Sequence, residues 1–203
     1  MIKLRLGVLA SHGGTNLQAI IDACKEGRLD ALVSVVISNN SSSTAFERAR
    51  REDIPHYHVS AVTHPQSEGE DTAIQAALEK HRVDLVVLAG YMKLLGPHIL
   101  ARYPNRILNS HPALLPKFGG KRMYGILVHE AVLAAKEKVT GVTIHLADAV
   151  YDHGPIVAQC QVPVAEGDTV DTLMDRVQRR ERLFWVETLQ SIVRQELDLD
   201  AIG

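Results

Sequence analysis

The strongest constraint on the fold is the way in which short apolar runs alternate with amphipathic segments along the chain. Residues 35–37 and 85–88 are apolar at every position, which is typical of parallel strands covered on both faces. Residues 17–24 instead carry apolar side chains at i, i+3, i+4 and i+7, a spacing that indicates a helix. The alternation predicts an α/β fold, doubly wound around a mostly parallel sheet.

The same pattern gives approximate element positions. We expect strands at residues 6–10, 32–37, 56–60, 84–89, 106–109 and 142–146, and a last long helix over residues 170–197. No linker interrupts the 203 residues, of which 46% are hydrophobic, so the prediction is a single domain spanning residues 1–203. Ligands of such sheets bind beyond the carboxyl ends of the strands, and the loops there should carry the chemistry.

Composition excludes several classes of function. Lys and Arg total 22 against 24 Asp and Glu, so the basic excess that draws a protein to nucleic acid is absent. No apolar run is long enough to span a membrane, and residues 1–5 lack the features of a signal peptide. We therefore expect a cytoplasmic protein without nucleic-acid or membrane partners, either a monomer or a homodimer.

Metal and disulfide chemistry is also disfavoured. Cys24 and Cys160 stand far apart without a CxxC pair, and HExxH is absent. These absences argue against a disulfide framework, a thiolate zinc site and a catalytic metal.

The loop after the first strand has the composition of an anion site. Gly14, Thr15 and Asn16 open a predicted helix, where backbone N–H groups can receive a phosphate. The loop is neither GxGxxG nor a Walker sequence, and Asn39 and Asn40 stand where a dinucleotide site would carry an acid, so NAD is disfavoured. A tight turn with Thr15 or Asn16 as helix cap is the equally weighted alternative.

Two later segments carry groups suited to acyl transfer. Asn109 and His111 alternate after the strand ending near residue 108, so both can point into one cleft. An amide N–H and a protonated imidazole can stabilise a developing oxyanion, although Asn-x-His-Pro before a turn, taken alone, is more often structural than catalytic. Asp152 lies in a turn-rich stretch and is either a turn residue or a carboxylate that favours the protonated imidazole of His111. No nucleophile with an adjacent base is evident.

Taken in order, the motifs of this chain resemble those of the phosphoribosylglycinamide formyltransferases, a folate-dependent formyltransferase family. The matching segments are GGTNLQAI at residues 13–20, ISN at 37–39, VLAGYMK at 87–93, NSHPALLP at 109–116, TGVTIH at 140–145 and DHGP at 152–155. The resemblance implies a Rossmann-like formyltransferase fold. It also implies transfer of the formyl group of 10-formyltetrahydrofolate to the amino group of glycinamide ribonucleotide in purine biosynthesis.

The resemblance also assigns roles to residues. It implies that His111, Asn109 and Asp152 are catalytic, and that Gly14, Thr15, Asn16 and Glu181 bind the ribonucleotide. The implied folate-binding residues are Met92, Lys93, Leu94, Leu95, Asn109, Leu146 and Tyr151. On its own residue type and position, Glu181 would be an exposed helical charge.

The chain departs from the family pattern in three places. Residues 118–125 replace the usual Phe-Pro-Gly-Leu-His segment with a longer stretch, which makes His129 only a candidate for the next family histidine. Residues 67–71 lack an Arg that some members place near the folate tail, and Arg182 stands where a His is common. These departures concern the folate-tail contacts.

Three other functions compete with this one. The related methionyl-tRNA formyltransferases carry a further C-terminal domain, and because residues 1–203 include no basic C-terminal extension we do not expect this chain to be one of them. Formyltetrahydrofolate hydrolase, which passes the formyl group to water, is the enzymatic alternative, along with other 10-formyltetrahydrofolate-dependent formyltransferases. A binding protein that has lost the reaction would make the joint presence of Asn109, His111 and Asp152 a coincidence.

Overall fold

The computed structural model describes residues 3–203, so Met1 and Ile2, which belong to the segment searched for a signal peptide, lie outside the described residues. The strands are β1 (Leu4–Leu9), β2 (Ala31–Ser38), β3 (His56–His58), β4 (Leu85–Leu88), β5 (Ile107–His111), β6 (Val139–Leu146) and β7 (Ile156–Pro163). The helices are α1 (Thr15–Lys25), α2 (Ala45–Arg51), α3 (Gly69–Lys80), α4 (Pro97–Arg102), α5 (Ile126–Ala134), α6 (Val170–Val193) and α7 (Leu199–Ile202). In this range no helix is both long and apolar enough to cross a membrane.

The seven strands form one sheet in the order β3-β2-β1-β4-β5-β6-β7. The first five strands in this order pair in parallel, and β6 and β7 are antiparallel to their neighbours. The predicted doubly wound, mostly parallel α/β fold is confirmed. The strand β7 is absent from the six predicted strands because this edge strand mixes Gln159, Cys160 and Gln161 with apolar residues and is only partly buried.

Helices cover both faces of the sheet. One apolar cluster joins β1, β4 and β6 to α1, α2 and α6, with Trp185 fully buried at its centre. A second cluster packs α3 and α4 against the opposite face. The helix α6 begins at the capping box formed by Thr169 and Thr172. It ends at Val193, with Arg194 as its C-cap, and is therefore four residues shorter than the predicted helix, which ended at residue 197.

One strand boundary differs from the sequence prediction in a way that shapes the site. Asn109 and His111 lie inside β5 and do not follow it, because β6 extends the pairing in antiparallel register. Asn109 pairs with His145 and His111 with Thr143. Both predicted catalytic side chains therefore project from a hydrogen-bonded strand, which fixes their backbone positions.

Candidate active site

The β5–β6 pairing brings Asn109 and His145 into direct contact. The Nδ2 atom of Asn109 lies 3.0 Å from Nε2 of His145, and Nδ1 of His145 lies 2.8 Å from the Leu146 carbonyl oxygen. Since a carbonyl oxygen only accepts, Nδ1 carries the proton, and Nε2 of the neutral ring accepts from the Asn109 amide. His145 thereby fixes the orientation of the Asn109 side chain.

His111 faces an oxygen at each ring nitrogen. Its Nε2 atom is 2.7 Å from the carbonyl oxygen of Phe118, and its Nδ1 atom is 3.3 Å from Oδ2 of Asp152. His111 is only 3% exposed, so water does not replace either partner. Two acceptors on one imidazole favour the doubly protonated ring, because only that form donates from both nitrogens.

Asp152 joins the two histidines. Its Oδ2 atom also accepts the Gly120 N–H at 2.9 Å, and its Oδ1 atom lies 3.6 Å from Nε2 of His145. Burial acts to raise the pKa of Asp152, but the close contact with His111 and the Gly120 N–H outweigh burial and hold the pKa well below its usual range. The side chain is thus an ionised carboxylate placed against His111, and its φ of 55° is also that of a turn residue.

A second cluster lies on the opposite face of β5. Ser110 donates from Oγ to Oε1 of Glu181 at 2.6 Å and accepts from the Trp185 indole N–H at 3.1 Å. Burial raises the pKa of the Glu181 carboxyl, against the lowering effects of the Ser110 hydroxyl and the Asn16 amide. Glu181 is therefore a half-buried acid held in one position, and the interpretation of it as an exposed helical charge is wrong.

The loop before α1 differs in detail from the predicted turn. Gly14 itself is the N-cap, with φ of 63°, and no side chain caps the helix. The alternative with Thr15 or Asn16 as the cap is therefore wrong: the left-handed conformation belongs to a glycine, and both residues already lie in the first helical turn. Asn16 is 8% exposed, and its Oδ1 atom has no partner among residues 3–203.

Between β4 and the loop that follows β6 lies a narrow cleft with a cavity volume of about 40 Å³. Of the predicted folate-binding residues, five line it: Lys93, Leu94, Leu95, Asn109 and Tyr151. Met92 lies outside this lining and is 40% exposed, while Leu146 packs its side chain into the core. His145 and Asp152 close the polar end of the cleft, and apolar side chains form its walls.

Several residues of the site carried no individual signal in the sequence. His145 lies within a segment that matches the family but has no predicted role, and Ser110 lies between two predicted catalytic residues. Phe118 and Gly120 belong to the segment that departs from the family, yet their backbone groups contact His111 and Asp152. Long-range pairing by backbone atoms leaves no trace in residue type, so only the alternation of side chains along β5 could have indicated Ser110.

His129 lies in α5, buried, with Nδ1 unpartnered in the described part of the chain. Burial lowers the pKa of His129, and the charge of the nearby His111 lowers it further. The residue is therefore a neutral neighbour of the catalytic candidate, and it lies outside the hydrogen-bonded cluster.

Comparison with known proteins adds independent findings. The profile of the family described as formyl transferase matches residues 4–189. A phosphoribosylglycinamide formyltransferase of Mycobacterium tuberculosis is 42% identical over 93% of this chain and 84% of its own length. The chloroplastic phosphoribosylglycinamide formyltransferase of Arabidopsis thaliana is 38% identical over 96% of this chain, which spans 67% of that protein.

A solved structure gives the same answer for the fold. The crystal structure of glycinamide ribonucleotide transformylase 1 from Symbiobacterium toebii superposes with a TM-score of 0.87 at 41% identity. The superposition covers 95% of this chain and 89% of that one.

Proposed function

Because the chain belongs to the formyl transferase family, we propose that it transfers the formyl group of 10-formyltetrahydrofolate to the amino group of glycinamide ribonucleotide, a step of purine biosynthesis. The family membership agrees with the resemblance carried by the sequence motifs. The observation that carries the proposal is one side-chain cluster at the polar end of the cleft, in which Asp152 contacts His111 and His145 links Asp152 to Asn109.

The first role is stabilisation of the oxyanion that forms when the substrate amine attacks the formyl carbon. The hydrogen bond to His145 uses one N–H of the Asn109 amide, which leaves the other for the formyl oxygen. The Nε2–H group of His111 already points at an acceptor oxygen, that of Phe118. In the reaction the formyl oxygen takes the place of this carbonyl, and the segment around Phe118 shifts to admit it.

The second role is proton transfer. The attacking amine loses a proton as the carbon–nitrogen bond forms, and the folate nitrogen takes up a proton as its bond to the formyl carbon breaks. Asp152 remains ionised beside His111, so it favours the protonated imidazole and can receive the amine proton through an intervening water. No covalent enzyme intermediate is needed.

The third role is binding of the acceptor. The N–H groups at the start of α1 suit a phosphate, and Glu181 lies within reach of Asn16 and Ser110 for contact with the glycinamide end. Asn16 thus lies between the phosphate end and the acid. This order along the molecule is the one that a ribonucleotide with an amine at one end requires.

The donor fits the cleft by its chemistry. Leu94, Leu95 and Tyr151 offer apolar surface to a flat pterin ring, and Asn109 and Asp152 stand where the formyl group must come. The cleft is narrow, so its loops open when the ring enters.

Hydrolysis is the competing function, since a formyltetrahydrofolate hydrolase needs the same three catalytic groups. The acceptor residues, Glu181 and the Gly14 loop, favour transfer, because water as the acceptor needs neither. The test is folate product formation by the purified protein with and without glycinamide ribonucleotide. Turnover that requires the ribonucleotide supports the proposal, and equal turnover without it, with release of formate, favours the hydrolase.

The remaining parts of the proposal concern the location, oligomeric state, metal requirement and substrates of the enzyme. We expect the enzyme to act in the cytoplasm, as a monomer or a homodimer, without a catalytic metal, on small-molecule substrates alone. The formyltransferase domain is taken to span residues 1–203.

A further inference from the structure

We propose that Arg48 and the segment of residues 40–48 are positioning elements that hold the loop at Gly14 in its anion-binding conformation. Arg48 donates from Nε to the Gly13 carbonyl oxygen at 2.8 Å and from Nη1 to Oε1 of Gln18 at 3.1 Å. It thus links α2 to both the loop and the first turns of α1. This inference rests on the proposed function for the identity of the anion, the phosphate of the acceptor.

The carbonyl groups of the loop are all held from the same side. Asn40 donates from Nδ2 to the Ser11 oxygen at 3.2 Å, and the Ser43 hydroxyl donates to the His12 oxygen at 2.6 Å. Thr44 donates from Oγ1 to the same Gly13 oxygen that Arg48 contacts, at 3.1 Å. Three consecutive carbonyl groups of the loop therefore point toward residues 40–48.

This arrangement determines where the N–H groups point. In a trans peptide the N–H lies opposite the C=O of the same peptide unit. Fixing the carbonyls of Ser11, His12 and Gly13 therefore turns the N–H groups of His12, Gly13 and Gly14 to the other side. None of these three N–H groups donates to an acceptor among residues 3–203, so they remain available to an anion.

A buried polar side chain next to these donors points to a ligand independently. Asn16 is 8% exposed, and its Oδ1 atom has no partner in the described part of the chain. Gly14 also packs closely against α2, because a Cβ atom built on Gly14 would lie only 3.0 Å from the Ala45 Cβ. The loop is thus held by α2 through hydrogen bonds and through close contact.

The positive charge of Arg48 has a second effect. Its guanidinium borders the groove between α1 and α6, which Thr15 and Arg182 also line. If Arg48 acted only by electrostatic attraction of the anion, a lysine at this position would serve equally well. The two directed bonds of Arg48 require the planar guanidinium, so a lysine keeps the charge and loses the positioning.

The test compares Arg48→Met and Arg48→Lys with the matched control Arg50→Met. Arg50 is an exposed cation on the same helix, and its side chain makes no hydrogen bond among residues 3–203. Steady-state kinetics with varied glycinamide ribonucleotide give the acceptor KM, and varied 10-formyltetrahydrofolate gives the donor KM. Melting temperatures report on folding.

Positioning predicts that both Arg48 variants raise the acceptor KM about tenfold or more, because a hydrogen bond from a charged donor is lost. Their kcat and donor KM remain near the wild-type values, and Arg50→Met behaves as wild type. An Arg48→Lys variant with the wild-type acceptor KM would overturn the inference and leave charge as the only effect. If the Arg48 variants do not fold, Ser43→Ala supplies the test, since loss of its bond to His12 should also raise the acceptor KM.

Calorimetric titration with inorganic phosphate separates this inference from the proposed function. The wild type should bind phosphate, and Arg48→Met should bind it more weakly by the same factor. Phosphate binding that depends on Arg48, in a protein without ribonucleotide-dependent transfer, would support the positioning role and refute the function. Transfer with an acceptor KM and a phosphate affinity unaffected by Arg48→Met would refute the positioning role and leave the function standing.

Discussion

Replacing Asp152 by Asn removes one negative charge from the interior of the site and changes little else. Asn tolerates the left-handed backbone at this position, where φ is 55°. Its amide oxygen can still accept the Gly120 N–H that Asp152 accepts at 2.9 Å. The variant therefore isolates the electrostatic role of the carboxylate beside His111 from its role in the turn.

The size of the effect follows from the geometry. Oδ2 of Asp152 lies 3.3 Å from Nδ1 of His111, and the two side chains are 9% and 4% exposed. At this distance, with an effective dielectric constant of about 20, the attraction is about 5 kcal/mol. If the variant loses roughly 3–5 kcal/mol of this in the transition state, kcat falls about 10²- to 10⁴-fold, since about 1.4 kcal/mol is a factor of ten.

The assay is steady-state formyl transfer, measured across pH with both substrates varied. Asp30→Asn is the control, because Asp30 is exposed and its side chain makes no hydrogen bond in the described part of the chain. We expect a large fall in kcat with a nearly unchanged donor KM. A kcat within about threefold of wild type would return Asp152 to a purely structural role.

Stability provides a second readout with a definite sign. The folded-state pKa of Asp152 is depressed, so the carboxylate stabilises the folded protein at every pH above the ordinary Asp pKa. That contribution is lost only as the pH falls through the depressed value. The free-energy difference between wild type and Asp152→Asn should therefore be constant from about pH 5 to 8 and shrink in more acidic solution. Urea denaturation at several pH values measures it.

Three further predictions concern neighbouring residues. Gly14→Val should raise the acceptor KM with little change in donor KM, because a side chain there meets Ala45 and strains a backbone with φ of 63°; kinetics with each substrate varied check this. Glu181→Gln should raise the acceptor KM yet increase the free energy of unfolding at neutral pH. The folded-state pKa of Glu181 is raised, so the ionised acid destabilises the folded protein at neutral pH. Urea denaturation should show that the gain in stability shrinks as the pH falls through that pKa. His145→Ala should lower kcat by about tenfold or more, because the Asn109 amide loses the acceptor that orients it; an unchanged kcat would contradict this role.

The sequence predicted the fold well because its signals are local. Six of the seven strands and the helices α1, α3 and α6 follow from apolar periodicity, which depends on burial at each position. The missing strand β7 is an edge strand with polar residues on its open face, so its pattern lacks the continuous apolar run of the buried strands. The sequence could not indicate how far β5 extends, because this depends on pairing with β6.

The candidate site was predictable in its side chains and not in its backbone contacts. Motif order placed Asn109, His111 and Asp152 together, and the structure brings their side chains into one cluster. The partners at Phe118 and Gly120 act through a carbonyl and an N–H that every residue possesses. For the same reason, no pattern in the sequence indicates that Arg48 holds the Gly13 carbonyl.

The fate of the formyl carbon distinguishes transfer to the ribonucleotide from hydrolysis. With 10-formyltetrahydrofolate carrying ¹³C in the formyl group and with glycinamide ribonucleotide present, ¹³C NMR should show the label in a new formamide, one equivalent for each tetrahydrofolate formed. His111→Ala should abolish this signal while keeping the fold, as judged by circular dichroism. Label appearing as formate at the same rate with or without the ribonucleotide would contradict formyl transfer, and a His111→Ala variant with wild-type transfer would contradict the catalytic role of His111.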